Sequence, residues 1–335
     1  MSDVLPVGVV GCGRMGKLHA RIYSQMPQVK LVGVYDVNQA GAEAVAKQYG
    51  CRAFASLEQM LAEVKAVTIA TPTEFHAAMA EPCLSRGVAC LIEKPLARNS
   101  EECRNIVDWA KAGGAVLQVG HVERFNPAIR AVSKLNLKPR FIETVRVSPL
   151  TFRSLDVGVV LDMMIHDLDI VLYLAGSKVK QVDASGVSVA GDVEDVANAR
   201  ILFENGCVAN VSGSRLAMKT ERKLRIVCAD AYVAVDYGKK EGVIARRSPS
   251  LDAIRDTVKQ VRAGLVPDVM QLNFASMVNL EPLQVDATEP LRAEQDAFID
   301  AVTTGSRPVV SGEDGWAAVE LAERIVKAIG NPEIA

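Results

Sequence analysis

Four stretches of the chain carry residue types at spacings suited to chemistry. The first is Gly11-Cys12-Gly13-Arg14-Met15-Gly16, a G-x-G-x-x-G directly after the apolar run Val7–Val10. Glycines there allow a tight turn and close approach of the backbone to a pyrophosphate. The helix that opens through Arg14 and Met15 offers free N–H groups to the anion. Asp36 follows Gly16 by 20 residues, at the end of the second apolar run, where an acid accepts hydrogen bonds from ribose hydroxyls. Val37-Asn38-Gln39-Ala40 comes next, with no arginine for a 2′-phosphate. The pattern predicts NAD as cofactor, in preference to NADP.

The second stretch is Thr71-Pro72-Thr73-Glu74-Phe75-His76, just past the fourth apolar run. Ligands of parallel sheets sit beyond the carboxyl ends of strands, which places Thr71, Pro72 and His76 at the cofactor. Thr73 also suits a helix cap, and His76 alternatively lies on the surface of that helix. The third is Glu93-Lys94-Pro95, directly after the fifth run. Glu93 and Lys94 then face the nicotinamide end, where a Lys suits proton transfer; the competing reading is a surface Lys paired with Glu93. The fourth is Leu161–Leu172, apolar almost all round and therefore a buried helix. Asp162, His166 and Asp169 stand on it at i, i+4 and i+7, one face of a regular helix. A His beside a carboxylate is the usual arrangement for a general base. Asp162 alternatively serves the helix dipole, and His166 a satisfied core. No metal is expected.

These groups need a scaffold. Val7–Val10, Leu31–Tyr35, Val67–Ala70, Ala89–Ile92 and Val116–Val119 read as strands. Met15–Gln25, Gln39–Tyr49, Leu57–Glu63, Phe75–Arg86 and Ser100–Lys111 between them read as helices. That alternation predicts an α/β Rossmann domain, a doubly wound parallel sheet, over residues 1–121. From 122 to 335 the expectation is an α+β domain with a large, mostly antiparallel open sheet. Its strands are Phe141–Val147, Val179–Val189, Ala197–Phe203, Cys207–Ser212, Lys223–Cys228 and Tyr232–Asp236. Its helices are Leu161–Leu174, Leu291–Thr303 and Gly315–Ala328, the last packing back on the first domain. Residues 239–269 give the least clear pattern.

With 335 residues, 38 Lys+Arg against 40 Asp+Glu and 49% hydrophobic residues, the chain is an ordinary two-domain globular protein. The balance leaves no electrostatic footprint for nucleic acid or an anionic membrane. Seven cysteines, without a C-x-x-C pair, argue against a disulfide framework or thiolate metal site and fit a cytoplasmic protein.

At Gly11–Gly16, Glu93-Lys94-Pro95, Asp162-x-x-x-His166 and Pro290-Leu291…Glu294…Ala297-Phe298…Gly305…Pro308…Gly312-Glu313-Asp314-Gly315, the chain resembles the glucose–fructose oxidoreductase/inositol dehydrogenase (Gfo/Idh/MocA) family. The resemblance implies an NAD-dependent sugar dehydrogenase with Lys94, Asp162 and His166 as the catalytic set. His166 would take the hydroxyl proton, Asp162 would orient substrate and His166, and Lys94 would contact the reacting oxygen. It also implies oligomerisation, as a homodimer or homotetramer, through the open sheet. Gly120-His121-Val122-Glu123-Arg124-Phe125-Asn126-Pro127 and Val157–Asp169 are similar to a branch of UDP-N-acetylglucosamine 3-dehydrogenases. That narrower likeness implies a nucleotide-sugar substrate and a downstream aminotransferase. Arg124 and Arg153 are then candidates to bind the substrate diphosphate by bidentate hydrogen bonds. The alternatives are a polyol or inositol dehydrogenase, and a dinucleotide-binding sensor without turnover.

Overall fold

A computed structural model of the chain describes residues 4–151, 157–246, 249–265, 280–330 and 333–334. Six parallel strands form the first sheet, in the order β3-β2-β1-β4-β5-β6. They are β1 (Leu5–Val10), β2 (Val29–Tyr35), β3 (Arg52–Ala53), β4 (Ala66–Ile69), β5 (Ala89–Glu93) and β6 (Leu117–Gly120). Every residue of β4 and β6 is buried, as expected of strands covered by helices on both faces. The covering helices are α1 (Arg14–Tyr23), α2 (Gln39–Tyr49), α3 (Leu57–Leu61), α4 (His76–Leu84) and α5 (Ser100–Gly113). Their starts follow side-chain capping: Asn38, Ser56 and Asn99 each accept a backbone N–H of the first turn, which satisfies an otherwise orphaned donor.

After α6 (Pro127–Ser133) the chain builds a nine-stranded second sheet, ordered β14-β13-β12-β11-β7-β10-β9-β8-β15. Its strands are β7 (Pro139–Val147), β8 (Val179–Ser188), β9 (Val196–Phe203), β10 (Val208–Ser214), β11 (Glu221–Cys228), β12 (Ala231–Asp236), β13 (Glu241–Arg246), β14 (Leu280–Pro282) and β15 (Glu333–Ile334). Pairing is antiparallel except at β7–β10 and β8–β15. Burial alternates strictly along β9 and β10, and along β7 from Phe141 onward, so one face is core. Leu168, Ile170 and Val171 of α7 (Ile165–Ala175) and Leu321, Ala322 and Ile325 of α10 (Gly312–Ile329) cover it.

Two helical segments depart from the sequence pattern. The helix expected from Leu161 opens instead with a π turn, Val160–Met164, before α7, so its first residues do not keep the α register assumed for Asp162. α6 is too short for periodicity to reveal; Asn126 caps it and Pro127 stands at its first position, a start that Pro's fixed φ favours. In the poorly patterned region lie β13 and α8 (Pro249–Arg262), while residues 266–269 fall outside the described residues.

Helix α9 (Pro290–Thr304) returns to the first sheet. Leu291, Phe298 and Ile299 share a core with Val7, Val9, Ile22 and Tyr23. On α10, Ala318 and Val319 join the core beneath β5 and β6.

Candidate active site

The glycine loop joins β1 to α1. Gly11 has φ +94°, and a Cβ there would lie 2.6 Å from the Ala70 carbonyl oxygen. A Cβ on Gly16 would lie 1.8 Å from the Gly11 carbonyl oxygen, whereas one on Gly13 would meet nothing within 4 Å. Gly13 begins α1 with no side-chain cap. The loop therefore packs tightly below and presents open backbone above, with exposed Arg14 and half-buried Met15 beginning the helix. Asp36, at the end of β2, accepts the Cys12 N–H at 2.6 Å and the Asn38 N–H at 2.8 Å, one on each oxygen. This fixes the carboxylate beside the loop while each oxygen keeps acceptor capacity. Backbone donors, an unobstructed cradle and a fixed acceptor fit a dinucleotide.

Thr71 and Pro72 follow β4, but His76 lies behind them, not at the cofactor surface. Its ring is 1% exposed. Nε2 stands 3.0 Å from the Thr71 carbonyl oxygen, and Nδ1 3.0 Å from that of Pro95 and 3.3 Å from that of Leu96. The expectation that His76 contacts cofactor is corrected: its buried ring lies between the Thr71 carbonyl on one loop and those of Pro95 and Leu96 on another, donating to one side. Burial pushes its pKa down, against the opposing pull of those carbonyls.

Glu93 is held from beneath. His19 Nε2 is 2.8 Å from its Oε1, and the Lys94 N–H lies 3.3 Å from its Oε2. The Gln295 amide nitrogen stands 3.0 Å from His19 Nδ1, so the His19 ring is held between Gln295 and Glu93. Burial raises the Glu93 pKa, but His19 and Lys94 outweigh it and the net shift is downward. Glu294 of α9 completes the group, with ligating atoms of His19, Glu93 and Glu294 within 4.8 Å of one another. Burial first, and the Glu93 charge second, raise its pKa well above the usual carboxylate range.

The loops after β4 and β5 and the π turn before α7 bound a cleft of about 550 Å³ whose walls include Pro72, Thr73, Lys94, Pro95, Leu161 and Asp162. Lys94 Nζ donates to the Asp162 carbonyl oxygen at 2.6 Å and lies 3.5 Å from Asp162 Oδ1. The π turn thus presents a backbone acceptor as well as a carboxylate. His166, at the start of α7, has its pKa pushed well below the ordinary value. Burial is the main cause, followed by the positive charges of Lys94 and Arg146 and by His121 and Arg222. His166 is not among the residues that line this cleft; kept neutral and within range of the Lys94 charge, its imidazole can accept a proton from a hydroxyl that the ammonium holds.

Arg124 is not part of this cleft. It is 6% exposed, donating Nε to Asp169 Oδ2 at 2.7 Å and Nη2 to Oδ1 at 2.9 Å, with the guanidinium 4.0 Å over the Tyr173 ring. Its charge and its fork are already used, which corrects its expected role at a diphosphate. Asp169 is correspondingly withdrawn from the polar stripe expected with Asp162 and His166. Arg153 lies outside the described residues. The relation of Glu93 to His19, Glu294 and Gln295 crosses the length of the chain and leaves no local mark in the sequence. His121, which the sequence marks only within the stretch that carries the narrower likeness, directly follows the end of β6.

Residues 5–121 match the model of the oxidoreductase family with an NAD-binding Rossmann fold, and residues 146–234 match the GFO/IDH/MocA C-terminal domain. The chain belongs to the Gfo/Idh/MocA oxidoreductase family. It is 40% identical over 303 residues to the UDP-N-acetylglucosamine 3-dehydrogenase of Acidithiobacillus ferrooxidans, covering 90% of each chain. A solved structure of that enzyme superposes with a TM-score of 0.86 over 97% of each chain. The inositol 2-dehydrogenase of Rhizobium meliloti is 29% identical over 96% of each. Like its relatives, this Gfo/Idh/MocA member is an NAD-binding oxidoreductase.

Proposed function

We propose that this chain oxidises the 3-hydroxyl of UDP-N-acetylglucosamine to the 3-keto nucleotide sugar. The observation that carries the reading is the 40% identity across 90% of both chains to an enzyme of that name, joined to a Lys94 anchored on Asp162 whose charge bears on a neutral His166. Gly11, Gly13, Arg14, Met15, Gly16, Asp36, Thr71, Pro72 and Glu93–Lys94 would hold NAD. When bound, that cofactor supplies the hydride acceptor. The chain's own part is proton handling and positioning. Lys94, oriented by the Asp162 carbonyl and carboxylate, donates a hydrogen bond to the substrate oxygen and favours its anionic character. His166 takes the hydroxyl proton as the carbon gives up hydride, so one proton and one hydride leave the alcohol together. With Arg124 committed elsewhere, the described arginines open to a diphosphate are Arg98, which lines the cleft, and Arg222, which is half exposed and near enough to depress His166. A 3-keto product suits an aminotransferase as the next enzyme. No helix among the described residues is long and apolar enough to cross a membrane.

The test is a substrate panel read by NADH absorbance, with a 2-oxo acid or aminotransferase drawing off product. UDP-N-acetylglucosamine should be oxidised, and free N-acetylglucosamine and myo-inositol should be poor substrates, because remote binding energy positions the reacting carbon. Lys94→Ala and His166→Ala should each lower kcat by about 10²-fold or more while NAD still binds. Robust turnover of myo-inositol, with none of any nucleotide sugar, would overturn the assignment.

A further inference from the structure

The four histidines divide into two kinds. His19 and His76 have protein partners at both ring nitrogens. His121 is 0% exposed, and neither of its ring nitrogens has a partner among the described residues; buried Nδ1 of His166 has none either. Leaving a buried polar group unpaired costs about 1–3 kcal/mol, so three such nitrogens in one place call for an explanation. These nitrogens belong to two neighbouring rings set edge to face: the centroids are 6.4 Å apart and the planes cross at 86°. At that centroid separation the ring nitrogens cannot bond each other directly, and buried polar groups left this way are typically served by a water, which makes about three bonds.

We propose that His121 is a positioning residue for His166, holding His166 Nδ1–H through one bridging water so that Nε2 is the free base facing the substrate. The inference rests on the reading of His166 as the proton acceptor. Charges around the pair come from several elements. Lys94, Arg146 and Arg222 bear on His166, while Asp169, Arg124, Lys94 and Glu93 bear on His121. Three cations around His166 disfavour protonating it. A water that accepts from Nδ1–H, and donates in turn to His121, offsets part of that cost as Nε2 receives the substrate proton. The Nδ1–H bond stays intact and no proton passes to His121. Its contribution is the correct tautomer and a more basic Nε2.

The test compares His121→Phe, which fills the space without a ring nitrogen, and His121→Gln, which keeps donor and acceptor. His121→Phe should lower kcat by about 10–100-fold, the scale set by partners that orient imidazoles in metal sites. The KM for NAD should change little, and the acid limb of the kcat–pH profile should move to lower pH as His166 becomes less basic. His121→Gln should recover part of the loss. In ¹⁵N-histidine spectra of the wild-type protein, with His166 assigned by its absence in His166→Ala, its proton should lie on Nδ1. An Nε2–H tautomer in the wild-type protein overturns the proposal, and so does a folded, NAD-binding His121→Phe with wild-type kcat and pH profile. If His121→Phe does not fold, the wild-type spectrum and the His121→Gln profile decide. Full activity in His166→Ala would sink the assignment of the base itself, whereas an inactive His166→Ala with an unaffected His121→Phe sinks only the role of His121.

Discussion

Replacing Arg124 with Ala separates a structural arginine from a substrate-binding one. The change removes two charge-assisted hydrogen bonds, at 2.7 and 2.9 Å, and a guanidinium 4.0 Å over Tyr173. It also strands the Asp169 carboxylate, whose side chain is 1% exposed. Breaking a buried pair by deleting one partner costs about 3–5 kcal/mol, mostly because the remaining charge is uncompensated. At about 2–4 °C per kcal/mol for a large domain, Tm should fall by roughly 6–20 °C. The double variant Arg124→Met/Asp169→Leu should recover most of this, since apolar replacement of both members is often near neutral. Thermal unfolding of the three variants gives the energies. The KM for UDP-N-acetylglucosamine, measured below the lowest midpoint, should stay within about 2-fold of wild type, because the guanidinium is spent on Asp169. A Tm loss of under about 2 °C together with a 10-fold or greater rise in that KM would return Arg124 to the diphosphate and refute the reasoning.

Two further predictions concern cofactor choice and pH. Asp36→Ser should narrow the preference for NAD over NADP by removing the carboxylate that repels a 2′-phosphate, measured as the ratio of the two kcat/KM values; an unchanged ratio would exclude Asp36 as the discriminator. Glu294 has a raised pKa, so the stability it contributes is fully present below its unfolded pKa of about 4.3 and is lost as pH climbs towards the folded value. The Tm advantage of Glu294→Gln over wild type should therefore grow from about pH 4.5 to pH 8, and a difference that is flat or shrinks with pH would show that Glu294 folds ionised.

The central strands of both sheets were legible in the sequence for different reasons, whereas the edge strands β3, β14 and β15, and β13 beside β14, were not. β4, β5 and β6 read as largely apolar runs because both their faces are covered, whereas β9 and β10 show the two-residue alternation of a sheet with one face in the core. The glycine loop and Asp36 were legible because their spacing is local to one β-α-β unit. What stayed hidden depends on pairing across sequence. Arg124 reads equally well as a phosphate ligand or an ion-pair member until Asp169, 45 residues on, is seen beside it. His76 gave no sign of the Pro95 carbonyl, and Glu93 none of His19, 74 residues earlier. The π turn before α7 leaves no periodic mark, since the residues on both sides of it are apolar.

The return of α9 and α10 to the first sheet bears on how such a chain can be cut and recombined. The nucleotide half is not contiguous in the gene: Phe298 and Ile299 fill the core against Val7 and Tyr23, and Gly315 lies so close to Val119 that a Cβ would stand 2.6 Å from it. A crossover near residue 121 that swaps only the first segment would pair a foreign sheet with native α9 and α10, and a fragment ending there would expose the apolar seat of both. Chimaeras meant to change the sugar while keeping the cofactor should therefore carry residues 290–329 with the first 121, and exchange only the span between.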